Sequence, residues 1–349
     1  MQDMRTPDAG DGLRVGSSAQ QTGAQDRSAL TSVIVLSYNK FFETTGRCLQ
    51  SLAGDPEFPN WDVVVVDNDS DEDTRTRLAA AAQAHPSLRL IFSETNRGFA
   101  GGMNLGMRQA RGDVFILLNS DTVVPKGIIG RIADVVRSSP RSGLFGPVTN
   151  AAGNEQGIFT THAGVREAIE EGLAFANAQT GSAPIPAYRL DFCCAALSRR
   201  TYEKIGELDV AFGRGYYEDF DYSLRTRRAG LDIGVIEGAF VYHQGSVSFK
   251  ALGKDTRNLI ARNKALLLKK HGRDILFPHS RDANLAVLRH YALLSSEGTV
   301  PPRIRVLNRL TLARANLPRS WWKRWRYRRK LAQVEQLLRP LLSDAGAGR

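Results

Sequence analysis

WDVVVVDNDS, residues 61–70, sets four consecutive valines behind a tryptophan and an aspartate, then closes on Asp67, Asn68, Asp69 and Ser70. A β-branched run without polar alternation is the pattern of a strand buried on both faces, as in a parallel sheet covered by helices. TSVIVLSYN (31–39), LRLIFSE (88–94) and DVFILLNSDTVV (113–124) repeat it. Between them lie helical stretches: FETTGRCLQSLAG (42–54), stopped by Gly54; the Ala-rich TRTRLAAAAQAH (74–85); and NRGFAGGMNLGMRQARG (96–112), stopped by Gly112. This alternation predicts an α/β fold, a mostly parallel sheet with helices on both faces. Ligands on such sheets bind at the carboxyl ends of the strands. Asn39, Asp67, Asp69, Asn119 and Asp121 all fall there. From about Val123 to Gly215 the pattern is less regular.

With 349 residues, 42% apolar and 8% aromatic, the chain can bury a sizeable core. Cys48, Cys193 and Cys194 make no disulfide framework, which points to a reducing compartment. No apolar stretch approaches the length of a membrane span. Residues 1–28, rich in Gly, Ser, Gln and Asp, lack the apolar core of a signal peptide and are expected to be disordered. The expectation is a cytoplasmic protein. SYNKFFETTG, after the first strand, has no G-x-G-x-x-G fingerprint, RGFAGG lacks the G-x-G element, and no P-loop occurs. Hydride transfer on a dinucleotide is therefore disfavoured.

Three acids crowd into GYYEDFDYSLR (215–225): Glu218, Asp219 and Asp221. Acids favour the positive end of a helix dipole, and they also mark sites where one must act as a base. Asn119 and Asp121, two apart, project to one side if the strand continues, and a hard divalent cation bound with phosphate and water needs only one or two protein carboxylates. A turn capping the next element is the structural alternative. His243 follows a strand in VYHQGS. A lone histidine is usually structural, but neutral imidazole is an acceptable Mn2+ ligand. His162 has no such support.

SVIVLSYN, VVVVDNDS, NRGFAGGMNLG, FILLNSDT, GYYEDFDYSLRTRRAG and VYHQGSVS occur in this order. Together they resemble the family 2 glycosyltransferases of GT-A fold, and most closely the rhamnosyltransferase-like bacterial enzymes that build O-antigen and other cell-surface glycans. The resemblance covers roughly residues 30–270. It implies an inverting transfer of a sugar, rhamnose being the one suggested, from a nucleotide-diphosphate donor to a hydroxyl of a growing, lipid-linked glycan. It implies that Ser37, Tyr38, Asn39 and Asp67, with Asp69 following, hold the base and ribose. Asn96, Arg97 and Gly98 would pass close to the nucleotide, with Asn104 in the helix behind. The family's D-x-D segment is here Asn119-Ser120-Asp121. One amide replaces the first carboxylate, so Asp121 is the only charged ligand for Mg2+ or Mn2+, with His243 approaching the metal or diphosphate and Ser246 fitting the pattern after it. The E-D-x-D segment is Glu218-Asp219-Phe220-Asp221, with Asp219 as general base. Neighbouring Glu218 and Asp221 are expected to raise its pKa. Asp221 and Arg225, at i, i+4, are expected to form a structural ion pair, and Tyr216 and Tyr217 to line the acceptor pocket or pack in the core. The alternative is a catalytically silent nucleotide- or carbohydrate-binding subunit, which Asn119 favours and the intact acid segment opposes.

RNKALLLKKHG (262–272) resembles the family's closing helix. From Lys250 onward 23 Lys and Arg face 6 Asp and Glu, so the net +11 of the chain belongs to this end. RSWWKRWRYRRKLAQVEQLLRPLL (319–342) interleaves Trp321, Trp322, Trp325 and Tyr327 with Lys and Arg. A solvated helix face, a nucleic-acid patch and an interfacial anchor on anionic lipid compete. No nucleic-acid module is visible, and an anchor agrees with a polyprenyl-diphosphate-linked acceptor. The LAQVEQLLRPLL face is a candidate for helix pairing. The expected organisation is a disordered 1–28, a GT-A domain over 29–272 and a basic helical extension over 273–349, peripheral at the inner face of the cytoplasmic membrane.

Overall fold

The computed structural model describes residues 30–161, 164–245, 254–273 and 275–343. Residues 1–28, His162 and Ser246 lie outside them. The predicted alternation is present: β1 (Thr31–Ser37), α1 (Thr45–Ala53), β2 (Asp62–Asn68), α2 (Glu72–Ala84), β3 (Leu88–Ser93), α3 (Gly98–Gln109) and β4 (Val114–Asn119). Helix α2 starts two residues early because Asp71 caps it, its carboxylate accepting from the Thr74 N–H at 2.8 Å. The valine run explains itself: Val63 and Val65 enter one apolar core, Val64 and Val66 the other, so the sheet is covered on both sides.

The fourth strand is shorter than its sequence suggests. It stops at Asn119, where the side-chain oxygen accepts from the Ser120 N–H (2.9 Å) and the Thr122 hydroxyl donates to the Asn119 carbonyl (2.7 Å). Ser120 and Asp121 form a turn before β5 (Thr122–Val123), so Asn119 and Asp121 do not share a strand face. The less regular region contains α4 (Ile128–Ser138), β6 (Leu144–Val148), α5 (Val165–Asn177), β7 (Ile185–Pro186), β8 (Cys194–Ser198) and α6 (Arg199–Ile205). Then come α7 (Glu218–Arg228), β9 (Ile233–Phe240) and β10 (Tyr242–His243). The eight-stranded sheet has the order β3-β2-β1-β4-β8-β6-β9-β7. Strands β1 to β4 are parallel, β8 is antiparallel to both β4 and β6, and a small ribbon pairs β10 with β5.

Helices α8 (Lys254–His271), α9 (Ser280–Ser296), α10 (Arg303–Ala315), α11 (Trp321–Leu337) and α12 (Arg339–Leu342) complete the fold. Leu288, Tyr291, Val306, Leu310, Leu331, Val334 and Leu338 join the core under one face of the sheet. The apolar face of LAQVEQLL is thus mostly consumed inside the protein, not left free for pairing. Arg305 and Arg309 are fully buried, facing Glu237 of β9 at 3.5 and 3.0 Å. No helix among the described residues is long and apolar enough to cross a membrane.

Candidate active site

The parallel register brings Ser37 beside Asp67, and Leu36 beside Asn119, at one end of the sheet. Asp67 is fully buried; its Oδ2 accepts from Arg75 Nε at 2.9 Å, while Oδ1 has no hydrogen-bond partner. A buried orphan acceptor in a strand-end crevice is what a base N–H or a ribose hydroxyl satisfies. Asn39 ties the first two loops together: its N–H donates to Ser70 Oγ, and its Oδ1 accepts from the Asp71 N–H. Asn39 (φ 52°) and Asp69 (φ 69°) both sit in the left-handed region, so this rim is strained. Tyr38 is half-exposed, whereas Ser37 is buried and bonded to the Thr45 hydroxyl at 2.9 Å. Ser37 therefore shapes the loop from behind. Asn96, Arg97 and Gly98 are organised by Asn68, which sequence reading passed over as a strand terminus. Its amide donates to Asn96 Oδ1 and the Gly98 carbonyl, and its oxygen accepts from the Arg97 N–H. Asn104 is buried and bonded both ways to the Leu208 backbone, a packing role.

Asp121 meets His243 across the β5–β10 ribbon, with Oδ1 3.2 Å from Nε2. Asn150 pins the His243 backbone through its N–H and its carbonyl, and Nδ1 faces the Ala151 carbonyl at 3.2 Å. With the ring protonated, Nε2–H donates to Asp121; with the ring neutral and its proton on Nδ1, the Nε2 lone pair points to the same place and is free to bind a metal. Burial lowers the proton affinity of His243, but the hydrogen bond to Asp121 and its charge outweigh that and hold it above the usual histidine range. Apart from this approach by His243, Asp121 Oδ1 is buried with no hydrogen bond. Two donors converging on one point fit Mg2+ or Mn2+, with diphosphate oxygens and water supplying the other positions. Among the described residues no larger cluster of His, Cys, Asp and Glu forms a closed cage.

The acids of α7 divide sharply. Asp221 is fully buried but paired with two cations, Arg225 at 2.8 Å and Lys270 at 2.7 Å, and hydrogen-bonded to His271 Nε2 at 2.7 Å. Burial alone would raise its pKa, yet these partners hold it below the usual carboxylate range. Glu218 is buried, and its Oε2 has no partner; burial and the charge of Asp219 push its pKa up. Asp219 is half-buried, Oδ1 accepting from the Phe220 N–H at 2.7 Å. Burial raises its pKa, Arg189 pulls it back, and Asp191 raises it further. Glu218 and Asp219 repel one another, as expected from their adjacency. The expected push from Asp221 is corrected, because Arg225 and Lys270 compensate its charge, and the loop before β8 supplies Arg189 and Asp191 as further charges. Arg189 Nη1 bonds Asp191 and stands 3.8 Å from Asp219 Oδ2. The Asp191 charge raises the proton affinity of both Asp219 and His243. Tyr217 packs edge-on to Phe220 and Phe277, half-buried beside Asp219.

Residues 32–206, half of the chain, match the family model described as Glycosyl transferase family 2. The chain belongs to this family. The matched range of this family 2 glycosyltransferase ends before Glu218, Asp219 and His243, so their placement rests on geometry. Low-salt glycan biosynthesis hexosyltransferase Agl10 of Haloferax volcanii is 26% identical over 242 residues, 65% of this chain and 70% of Agl10. Uncharacterized protein Mb1552 of Mycobacterium bovis is 28% identical over 158 residues, 43% of this chain and 55% of its own length. Among solved structures, GalNAc-T7 with UDP, GalNAc and Mn2+ has a TM-score of 0.50 at 14% identity, covering 77% of this chain and 55% of that one. The mannosyltransferase PcManGT from Pyrobaculum calidifontis, in complex with GDP-Man and Mn2+, has a TM-score of 0.49 at 18% identity, covering 90% and 87%. The sheet and its flanking helices are those of a GT-A glycosyltransferase.

Proposed function

We propose that this glycosyltransferase moves a sugar, with inversion, from a nucleotide-diphosphate donor to a hydroxyl of a growing, lipid-linked cell-surface glycan, assisted by Mg2+ or Mn2+. The observation that carries the reading is Asp219: a half-buried carboxylate of raised proton affinity at the start of α7, 3.8 Å from Arg189. The acceptor O–H gives its proton to Asp219 as its oxygen bonds the anomeric carbon. The carbon–oxygen bond to the diphosphate breaks on the opposite face, and the diphosphate leaves with the electron pair. Asp121 and His243 would hold a divalent ion, which would supply charge neutralisation for that leaving group. Asp67 and the Asn39 and Asn96–Gly98 turns hold the nucleotide, and Tyr217 borders the acceptor.

Residues 273–349 are proposed to bring the catalytic domain, 29–272, to the inner face of the cytoplasmic membrane. Trp321, Trp322 and Trp325 are exposed at 66%, 63% and 45% on α11, ring against ring, among Lys323, Arg324, Arg326 and Arg329. That is the chemistry of an anionic lipid interface.

Donor hydrolysis tests the enzyme reading. The purified protein is given a panel of nucleotide sugars, dTDP-rhamnose first, with Mg2+ or Mn2+, beside Asp219→Asn. Release of one nucleotide diphosphate by the wild type, and a variant that binds that donor without transferring its sugar, is the expected result. Nucleotide binding without turnover supports a silent subunit. No nucleotide binding overturns the functional reading and leaves the fold.

A further inference from the structure

The loop that delivers Glu218 and Asp219 is held in an unfavourable backbone conformation. Gly213 (φ 69°), Gly215 (141°), Tyr216 (72°) and Tyr217 (77°) all have positive φ, and the two tyrosines pay for it with their Cβ atoms. Such a turn persists only where its surroundings over-determine it. Here one side chain does most of this: Asn263 of α8, fully buried, donates from Nδ2 to the carbonyls of Phe212 (2.7 Å), Gly215 (2.8 Å) and Tyr216 (3.0 Å). An amide has two N–H bonds, so three acceptors share two protons.

The rest of α8 is built around the same task. Few of its side chains are buried; Leu267 is, packing with Phe212, Phe220 and Leu224. Lys270 reaches Asp209 and Asp221, both at 2.7 Å, and His271 joins Asp221 to Arg228. These contacts go to α7 and to residues 209–212, which lead into the turn.

We propose that Asn263 is a positioning residue for the transfer step: its amide fixes the left-handed turn Gly215–Tyr217 and so aims the Glu218–Asp219 pair at the acceptor hydroxyl. The proposal rests on the reading of Asp219 as the base. It assigns Asn263 no contact with substrate. Its effect falls on orientation, where a displacement of about 1 Å is worth roughly 100-fold in rate.

The test compares wild type, Asn263→Ala, Asn263→Ser, the double variant Asn263→Ala/Tyr216→Gly and Asp219→Asn. Transfer and donor binding are measured separately, and rates are normalised to folded protein. Asn263→Ala is expected to lose about 100-fold in kcat with donor Kd within about twofold, because the nucleotide turns are held by Asn68 and Asn39. Asn263→Ser, which keeps one donor, is expected to fall in between and serves if the alanine variant fails to fold. The double variant is the decisive arm: glycine adopts positive φ without penalty, so the turn regains its shape without the amide, and at least tenfold of the lost kcat returns. The inference is overturned if Asn263→Ala keeps kcat within threefold while Asp219→Asn is inactive. It is also overturned if the loss follows donor binding or folded fraction and Tyr216→Gly restores nothing. An active Asp219→Asn enzyme instead overturns the base assignment, and the target of the positioning with it.

Discussion

Gly98 approaches Gly213 so closely that a Cβ on Gly98 would stand 2.0 Å from the Gly213 carbonyl oxygen. The nucleotide-side turn organised by Asn68 and the loop that leads to Asp219 therefore touch backbone to backbone. Donor and base are set against each other by this contact, not by a side chain that tolerates exchange.

Gly98→Ala should break it. At φ +67° alanine costs about 1–2 kcal/mol in backbone strain, and the clash adds about 1–3 kcal/mol more as the loops separate. Urea unfolding should show a loss of at least about 2 kcal/mol, and nucleotide titration should show weaker binding. Gly213→Ala is the control, because φ is also positive there but a Cβ meets nothing within 4 Å. It should cost only the strain. Equal losses in both variants would mean that the contact is not responsible.

The acid pair predicts opposite pH trends for stability and for activity. Burial, the first cause for both groups, raises the pKa of Glu218 and Asp219 in the folded state. Above the ordinary carboxylate pKa of about 4.3, the folded protein then binds more protons than the unfolded chain. This contribution to stability is present at low pH and is lost as pH rises through the raised values. Glu218→Gln should flatten that decline and gain stability at alkaline pH.

Transfer runs the other way, since Asp219 must be ionised to accept a proton. The rising limb of kcat/KM against pH should lie above the ordinary carboxylate range. Arg189→Gln should move it to higher pH, because the guanidinium favours the ionised form, and Asp191→Asn should move it lower. Limbs that do not separate in these directions would remove Asp219 from the profile.

The strands were legible because burial on both faces writes itself as an uninterrupted β-branched run, as at Val63–Val66. Strand β7 and helix α5 were not. β7 is two residues long, and α5 buries mainly small residues, Ala168, Gly172 and Ala176, alongside Phe175, which leaves little periodic signal. Asp121, Asp219 and His243 stood out as charged or titratable residues at strand and helix ends. Asn68, Arg189, Asp191 and Asn263 did not, because each acts through a partner distant in sequence. Nor did sequence separate the Arg residues of the basic end: Arg305 and Arg309 count toward its charge but lie in the core.

Those two arginines carry the next prediction. Glu237 is buried between them and the Tyr291 hydroxyl, so the C-terminal helices are locked to β9 by charge as well as by apolar packing. Arg309→Met removes one partner of a buried pair, which costs roughly 3–5 kcal/mol. Glu237→Gln with Arg309→Met should recover part of that loss, because the uncompensated carboxylate is gone. Urea denaturation of the single and double variants reads the difference directly. An additive double variant would show that the pair is not coupled.

The membrane proposal separates into an apolar and an electrostatic part, and α11 allows each to be removed alone. The face carrying Tyr327, Leu331 and Val334 is buried against the protein, so the exposed tryptophans can be changed without opening the core. Each Lys or Arg near an anionic surface contributes about 1 kcal/mol, which salt weakens. Reversal of Arg324, Arg326, Arg328 and Arg329 should abolish binding to anionic vesicles and leave folding intact. Arg324 also donates to the Pro318 carbonyl, so a triple reversal sparing it is the control for local structure. Alanine at Trp321, Trp322 and Trp325 should instead leave a weak binding that disappears at high salt, because only the charge remains. Sedimentation with vesicles of varied anionic lipid content reads both. Binding that is indifferent to lipid charge in every variant would take α11 away from the membrane and leave its tryptophans to a protein partner.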